Sequence, residues 1–277
     1  MSGRLTEFSA HANAPDPGRR SALAALAAAA GFVLIGCDEG DIAKVALKLV
    51  SPEQLREMGE ATWRRMRSQF AVSPDAALQE RLRSIGERVV RASNSQEPRW
   101  EFLVFRSDEI NAFALPGGKV GFFEGMFAAA RNDAQIAAIL GHEIGHINAH
   151  HAAQRLAAGL AKQVGITAVM IALKAGDVAY ANEIAAILGA GVEYGLVLPY
   201  SRQQEYQADA LGVEYMARAG FPPKEAVAFW LGLMALNRNR PRPLEFLSTH
   251  PSDEKRIQEL RAQVPKLALR GGAAGPG

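Results

Sequence analysis

Residues His142–His146 have the sequence HEIGH and lie within a predicted helix. Residues four apart lie on the same face of a helix, so the two imidazoles can reach a single metal ion. Glu143 follows the first histidine and is offset from that face, which leaves its carboxylate free to hold a water molecule. Two histidine ligands and one glutamate general base on a helix form the pattern of zinc peptidases.

The sequence on both sides of this stretch predicts helices flanking a small sheet. Three apolar runs predict strands, and Pro116-Gly117-Gly118 predicts a turn between the second and the third. These strands are Arg99–Phe105, Asn111–Leu115 and Lys119–Phe123. Helices are predicted at Glu53–Phe70, Ala76–Ala92, Asp133 to beyond His151, Glu183–Leu196, Gln203–Arg218, Pro223–Asn237 and Ser252–Gln263. This order predicts an α+β fold that is predominantly helical, with the small sheet packed on the helix that carries HEIGH.

A third metal ligand has to come from outside this short motif. The positions at which a metzincin carries its glycine and third histidine hold Ala149 and Ala152, which excludes that class. His150 lies one turn beyond His146 on the predicted helix, where it is poorly placed for a tetrahedral site. We therefore interpret His150 as a surface or packing histidine.

Two downstream carboxylates are better placed to complete the site. Glu205 and Asp209 are four residues apart and lie on one face of a predicted helix. Glu205 can ligate the metal, while Asp209 can accept a hydrogen bond from the outer N–H of a ligand histidine and so orient its ring. The alternative is a pair of solvated acids on a helix surface, and the presence of HEIGH favours the metal site.

Four motifs in this order resemble peptidase family M48, the CAAX-prenyl-type and heat-shock-type zinc metallopeptidases. The resemblance covers about Ser51 to Gln263, and it is strongest to the soluble periplasmic lipoprotein branch. The motifs are Asn111–Gly118 (NAFALPGG), HEIGH with His151 beyond it, Arg202 followed by Glu205 and Asp209, and Thr249-His250-Pro251. Unlike the integral-membrane members, this sequence has no later charge-free run long enough to span a bilayer.

The resemblance implies a gluzincin-like fold with one zinc ion per subunit. It implies zinc ligands at His142, His146 and Glu205, with Glu143 as the catalytic residue. A fourth position is then left for water, as a catalytic zinc site requires. His250 has three open interpretations: a donor to the oxyanion, a cover of the zinc in a resting state, or a structural residue.

The function expected from this resemblance is that of a zinc metalloendopeptidase. Its expected substrates are polypeptides, in particular unfolded or misassembled proteins of the cell envelope. The strand Lys119–Phe123 is expected to present an edge to an extended peptide, because strand addition demands no particular side-chain sequence. Two alternatives stay open: a chaperone-like protein that binds clients through a latent site, and a zinc hydrolase of non-peptide amide bonds such as those of the cell wall.

The only cysteine of the chain, Cys37, lies at the end of an apolar stretch. Arg19-Arg20 precedes the charge-free segment Ser21–Gly36, which is typical of a secretory signal. Leu34–Cys37 resembles a bacterial lipobox, so we expect an acylated Cys37 that anchors the protein in a membrane. A short buried alanine-rich helix is the alternative.

These features predict the domain organisation and the location of the protein. We expect a lipoprotein signal peptide at residues 1–36, a tether at 37–50, a zinc peptidase domain at 51–265 and a disordered tail at 266–277. The protein is expected on the periplasmic side of the envelope, anchored in either the inner or the outer membrane. Both the twin-arginine and the Sec export routes stay open.

The composition excludes several other classes of protein. The chain has 277 residues, of which 48% are hydrophobic and 22% charged, which excludes wholesale disorder and a polytopic membrane protein. The net charge is +2 and no long basic run occurs, so no nucleic-acid partner is expected. A single cysteine excludes a zinc site built from several thiolates, so the metal must be bound by histidine and carboxylate.

Overall fold

The computed structural model describes residues 51–158 and 200–271. The predicted signal peptide with Cys37, the tether, the predicted helix Glu183–Leu196 and residues 272–277 lie outside these ranges. The elements are α1 Pro52–Gln69, α2 Ala76–Ser93, β1 Glu101–Phe105, β2 Ala112–Leu115, β3 Lys119–Phe123, α3 Glu124–Ala129, α4 Asp133–Asn148, α5 at residues 151–158, α6 Arg202–Arg218, α7 Lys224–Asn237, α8 Glu245–Thr249 and α9 Glu254–Gly271. The predicted α+β class with a helical majority and a small sheet is confirmed.

Polar caps determine where the two helices that carry the predicted site begin. At the start of α4, the Asn132 side chain accepts a hydrogen bond from the Gln135 amide at 2.9 Å, and the Gln135 side chain accepts one from the Arg131 amide at 3.0 Å. At the start of α6, Ser201 and Gln204 form a reciprocal capping box. These caps set the register of both helices, and with it the faces on which the site residues lie.

The three strands form one sheet in the order β1-β3-β2. β2 and β3 are antiparallel across the turn at Gly117 and Gly118, both of which have positive φ angles of 89° and 71°. β1 pairs in parallel with the other side of β3, with Glu101 opposite Lys119. The prediction that Lys119–Phe123 offers a free edge is therefore wrong, because β2 pairs with one side of β3 and β1 pairs with the other. The two outer strands, β1 and β2, each pair with β3 alone. The outer side of β1 is bridged by Val72 opposite Phe105, so among the described strands the outer side of β2 is the free edge.

Helix α4 is the centre of the described fold. Every residue from Ala134 to Ile147 is buried, because α2, α6, α7 and β2 surround the helix. This burial explains why α4 is apolar on all sides apart from Gln135 near its start and the site residues. On the far side of the sheet, Trp63 of α1 packs edge-on against Phe105 with ring centroids 5.5 Å apart. The sheet is thus held between α1 and α4, and α4 holds the HEIGH residues inside the core.

Helices α4 and α6 touch through their backbones at two glycines. A Cβ atom added at Gly141 would lie 2.6 Å from the carbonyl oxygen of Gly212, and one added at Gly212 would lie 2.6 Å from the amide nitrogen of His142. No side chain larger than hydrogen fits between the two helices at this contact. The contact brings the face of α6 that carries Glu205 and Asp209 next to the histidines of α4.

Two predicted helix ends are wrong. α4 does not continue beyond His151 but ends at Asn148, because His150 adopts a left-handed backbone conformation with φ 55° and a second helix begins at residue 151. α9 continues to Gly271 through Pro265, so residues 266–271 are helical where a disordered tail was predicted. No helix within the described ranges is long and apolar enough to cross a bilayer.

Candidate metal centre

Four buried side chains from three parts of the fold converge on one point. His142 and His146 come from α4, Glu205 from α6 and His250 from the loop after α8, and their nearest ligand atoms all lie within 4.8 Å of one another. The Nε2 atoms of the two α4 histidines are 3.0 Å apart, and His250 Nδ1 lies 3.1 Å from Glu205 Oε1. The structure thus brings the three predicted ligands together and adds His250 as a fourth donor.

The charges around this point fit a divalent cation. Glu143, Glu205 and Asp209 are buried carboxylates, and Arg256 is the one arginine or lysine among the described residues whose side chain is fully buried. With Glu143 ionised, three negative charges and one positive charge leave a net charge of −2, and buried charge without compensation is strongly unfavourable. Glu143 Oε1 moreover has no hydrogen-bond partner within the described ranges. A divalent metal ion bound by imidazole and carboxylate matches this donor set and balances the charge.

Glu143 connects the cluster to the free edge of the sheet. Its Oε2 accepts a hydrogen bond from the Ala114 amide of β2 at 3.0 Å, whereas Oε1 lies 3.4 Å from His250 Nε2. Burial raises the pKa of Glu143 above its ordinary value. One oxygen is therefore fixed by the backbone, and the other faces the cluster in an environment that favours holding a proton.

His142 is oriented by a charged partner. Asp209 Oδ1 lies 2.8 Å from His142 Nδ1, the contact that the spacing of the acids on α6 predicted. Burial opposes ionisation of Asp209, but Arg256 and His142 hold its pKa below the ordinary value, so it remains a carboxylate. Asp209 then accepts the Nδ1 proton and leaves the Nε2 lone pair of His142 facing the cluster.

His146 is oriented by a neutral partner. His146 Nδ1 lies 2.8 Å from His151 Nδ1, and His151 Nε2 lies 2.8 Å from Gln207 Oε1. Burial lowers the pKa of His146 well below its ordinary value and that of His151 to about 4, so both rings are neutral at pH 7. Because Gln207 Oε1 can only accept, His151 donates to it and accepts the proton of His146 Nδ1, which leaves His146 Nε2 facing the cluster.

Glu205 carries its charge in spite of complete burial. Burial opposes its ionisation, but the Arg256 guanidinium and the neighbouring histidines hold its pKa well below the ordinary value. Glu205 Oε1 lies 3.4 Å from His146 Nε2, and Oε2 lies 3.5 Å from His142 Nε2. The carboxylate therefore lies beside both imidazoles as an anionic donor.

Several residues at the centre were not singled out from the sequence. Arg256 contacts Glu205 and Asp209, but α9 is rich in charged residues and nothing in its pattern distinguishes this arginine. Tyr200 stacks on the His146 ring with centroids 3.7 Å apart. His150 is exposed and is not part of the donor group, in line with its interpretation as a surface histidine.

Residues 76–264 match the model of peptidase family M48. The mitochondrial metalloendopeptidase OMA1 of Schizosaccharomyces pombe is 33% identical over 184 residues, which cover 66% of this chain and 52% of that protein. The β-barrel assembly-enhancing protease of Escherichia coli is 30% identical over 234 residues, which cover 82% of this chain and 47% of that protein. The OMA1 protein of Saccharomyces cerevisiae is 31% identical over 223 residues, or 75% and 61% of the two chains.

The chain thus spans about half the length of the first two of these relatives. The family match covers more than half of the chain and includes HEIGH, Glu205 and His250, the residues that the structure brings together around one point. The family implies a metal cofactor, and the donor cluster fits one. The chain belongs to peptidase family M48.

Proposed function

We propose that the protein is a zinc-dependent metalloendopeptidase of the bacterial cell envelope that cleaves unfolded or misassembled proteins. The observation that carries this proposal is the buried cluster of His142, His146 and Glu205 beside Glu143. Two imidazoles and one carboxylate are the ligand set of a catalytic zinc site with three protein ligands. We expect one zinc ion per subunit.

Glu143 is the general base of the proposed reaction. His142, His146 and Glu205 would hold the zinc ion, which would supply a water molecule whose pKa is lowered towards about 7 and a Lewis acid for the scissile carbonyl. Glu143 Oε1, which makes no hydrogen bond to the described residues, takes the proton of the attacking water. The same oxygen then delivers this proton to the leaving amine. The raised pKa of the buried Glu143 suits a group that must both accept and release a proton.

His250 lies too close to the ligands for a simple role as an oxyanion donor. Its Nδ1 is 3.1 Å from His142 Nε2 and 3.1 Å from Glu205 Oε1. An imidazole at this point occupies the position that a catalytic site leaves for water. Of the three interpretations of His250, this geometry supports the cover of the zinc in a resting state.

The free edge of β2 is the proposed binding site for the substrate backbone. The Ala114 amide points away from β3 and towards Glu143, so this edge runs directly past the catalytic carboxylate. An extended peptide that adds to β2 makes main-chain hydrogen bonds, which require no particular side-chain sequence. This mode of binding selects extended chains and therefore supports unfolded proteins as clients.

The envelope location rests on the sequence and on a relative. Arg19-Arg20, the apolar segment Ser21–Gly36 and Cys37 support a lipoprotein anchored at the periplasmic face of a membrane. The name of the Escherichia coli relative refers to β-barrel assembly, which supports clients among envelope proteins. Mass spectrometry of the protein recovered from bacterial membranes tests the anchor: we expect an acylated Cys37, and a Cys37→Ala protein that is released from the membrane.

The catalytic proposal is tested by measuring bound zinc and casein cleavage for the wild type and for His146→Ala. We expect about one zinc ion and turnover in the wild type, and the loss of both in the variant. Wild-type protein that holds unfolded clients without ever cleaving them, even with zinc bound, would favour the chaperone-like alternative. Release of peptidoglycan fragments with no cleavage of casein in a parallel digest would favour the amide hydrolase.

A further inference from the structure

Arg256 of α9 is buried beside the metal centre although it is permanently charged. Only 1% of the residue is exposed, and its guanidinium lies over the ring of Trp230 with the central carbon 3.5 Å from the ring centroid. A buried charge is strongly unfavourable unless it is paired and hydrogen-bonded. The contacts made by Arg256 therefore show what holds it in this position.

The guanidinium contacts the two buried carboxylates of α6, Asp209 and Glu205. Its Nε and Nη2 lie 2.5 Å and 2.8 Å from the two oxygens of Asp209, the two-point geometry that only an arginine provides. Its Nη1 lies 2.6 Å from Glu205 Oε2. Arg256 thus forms an ion pair with Oε2 of Glu205, an oxygen that makes no hydrogen bond to the described residues. The other oxygen, Oε1, faces His146 and His250.

The same guanidinium also contacts the backbone of the loop that carries His250. Its Nη1 donates to the carbonyl oxygen of Pro251 at 3.3 Å and lies 3.5 Å from that of His250. Arg256 follows His250 by six residues, so this contact closes the loop onto the start of α9. One side chain therefore links the loop to Glu205 and Asp209.

We propose that Arg256 is a positioning residue of the metal centre, which holds Glu205, Asp209 and the His250 loop in one arrangement. This inference rests on the proposed zinc site. Arg256 acts on the orientation of His142 in part through Asp209 and in part through its own Nη2, which lies 3.2 Å from His142 Nδ1. It acts directly on the Glu205 carboxylate through the ion pair with Oε2. It touches neither the β2 edge nor Glu143 Oε1, so its effect is on metal binding rather than on the substrate.

The first test compares Arg256→Lys with the wild type in zinc affinity, measured by competition with a chelator. A lysine keeps the charge but has one nitrogen, which cannot contact two carboxylates and the loop together. Substituting a residue that holds the metal ligands in place lowers metal affinity about 10- to 100-fold, and we expect a loss in this range for Arg256→Lys. With Co²⁺ as the bound metal, we also expect a changed visible spectrum, because the ligands are no longer held in one arrangement. With zinc saturating, kcat should fall and KM should stay unchanged.

Arg218→Gln is the matched control. Arg218 lies on the exposed surface of α6 and pairs with Glu214, so its loss removes an arginine–glutamate pair from the same helix without touching the site. We expect its zinc affinity and Co²⁺ spectrum to equal those of the wild type. A folded Arg256→Lys protein that also equals the wild type in both would overturn the inference. Wild-type protein that binds no zinc would instead contradict the proposed function.

A double variant provides a second test in case Arg256 variants do not fold. Asp209→Asn with Arg256→Gln removes both members of the charge pair, and such paired removal is better tolerated than removal of one member. Because Arg256 acts in part through Asp209, the fold-loss of zinc affinity in the double variant should be smaller than the product of the fold-losses in Asp209→Asn alone and Arg256→Gln alone. A loss equal to that product would show that Arg256 does not act through Asp209 and would overturn the inference.

Discussion

Replacing Gly212 by alanine should push α4 and α6 apart at the metal centre. The added Cβ would lie 2.6 Å from the His142 amide nitrogen and 2.7 Å from the Gly141 carbonyl carbon. Ordinary contact begins at 3.4 Å, so the backbones must separate by roughly 0.8 Å. Backbone atoms cannot rotate out of the way, so the displacement is carried to the side chains on both helices.

The magnitude follows from two opposing effects. Overpacking a core lowers the free energy of unfolding by about 1–3 kcal/mol, and a clash with backbone atoms belongs at the upper end of that range. Alanine is favoured over glycine inside a helix by about 1 kcal/mol, which leaves a net destabilisation of about 2 kcal/mol. Metal–ligand distances tolerate deviations of only about 0.2 Å, so zinc affinity should fall as well.

Gly232 of α7 provides the matched control, because a Cβ added there meets nothing within 4 Å. Gly232→Ala should gain only the higher helix propensity of alanine, which raises the free energy of unfolding by about 1 kcal/mol. Its zinc affinity should be unchanged. Urea unfolding of the two variants without metal measures the expected difference of about 3 kcal/mol. Gly212→Ala that is as stable as Gly232→Ala and binds zinc like the wild type would refute the argument that the glycine contact positions the ligands.

Three further predictions concern stability and metal binding. Trp63 is 1% exposed and belongs to the aromatic cluster beneath the sheet. Trp63→Ala should lower the free energy of unfolding, measured in urea, by about 3–5 kcal/mol. Removing zinc with a chelator should lower the midpoint of thermal unfolding, because zinc at 100 times its Kd stabilises by about 2.7 kcal/mol; equal midpoints with and without zinc would contradict metal binding by the folded state. His150→Gly should relieve the left-handed backbone at φ 55° and stabilise by about 1 kcal/mol with zinc affinity unchanged, and a loss of zinc would show that this histidine is a ligand.

Local patterns were sufficient to predict most of the elements and the core of the site. Caps, apolar periodicity and the Pro116–Gly118 turn act within a few residues, so the strands and the starts of α4 and α6 lie within two residues of their predicted positions. The spacing of His142 and His146, and that of Glu205 and Asp209, follows from the helix repeat alone. These pairs therefore needed no knowledge of the fold.

Features that depend on tertiary contacts were missed. The position of β3 in the middle of the sheet depends on where the chain places β1, which strand sequences do not specify. A continuous helix was predicted through His150, but the helix is interrupted there by a left-handed residue. This interruption allows the His151 ring to contact the His146 ring. Arg256 becomes part of the centre only because α9 packs against α6 and α7.

Casein cleavage by Glu143→Gln, with bound zinc measured in the same preparation, tests most directly whether Glu143 is the general base. The substitution keeps the size of the side chain and the contact with Ala114, but it removes the oxygen that takes the proton. Because Glu143 is not among the proposed ligands, we predict about one zinc ion per chain, as in the wild type, and no detectable cleavage. Turnover at the wild-type rate with zinc bound would contradict the proposed mechanism, because the site would then cleave peptides without its general base.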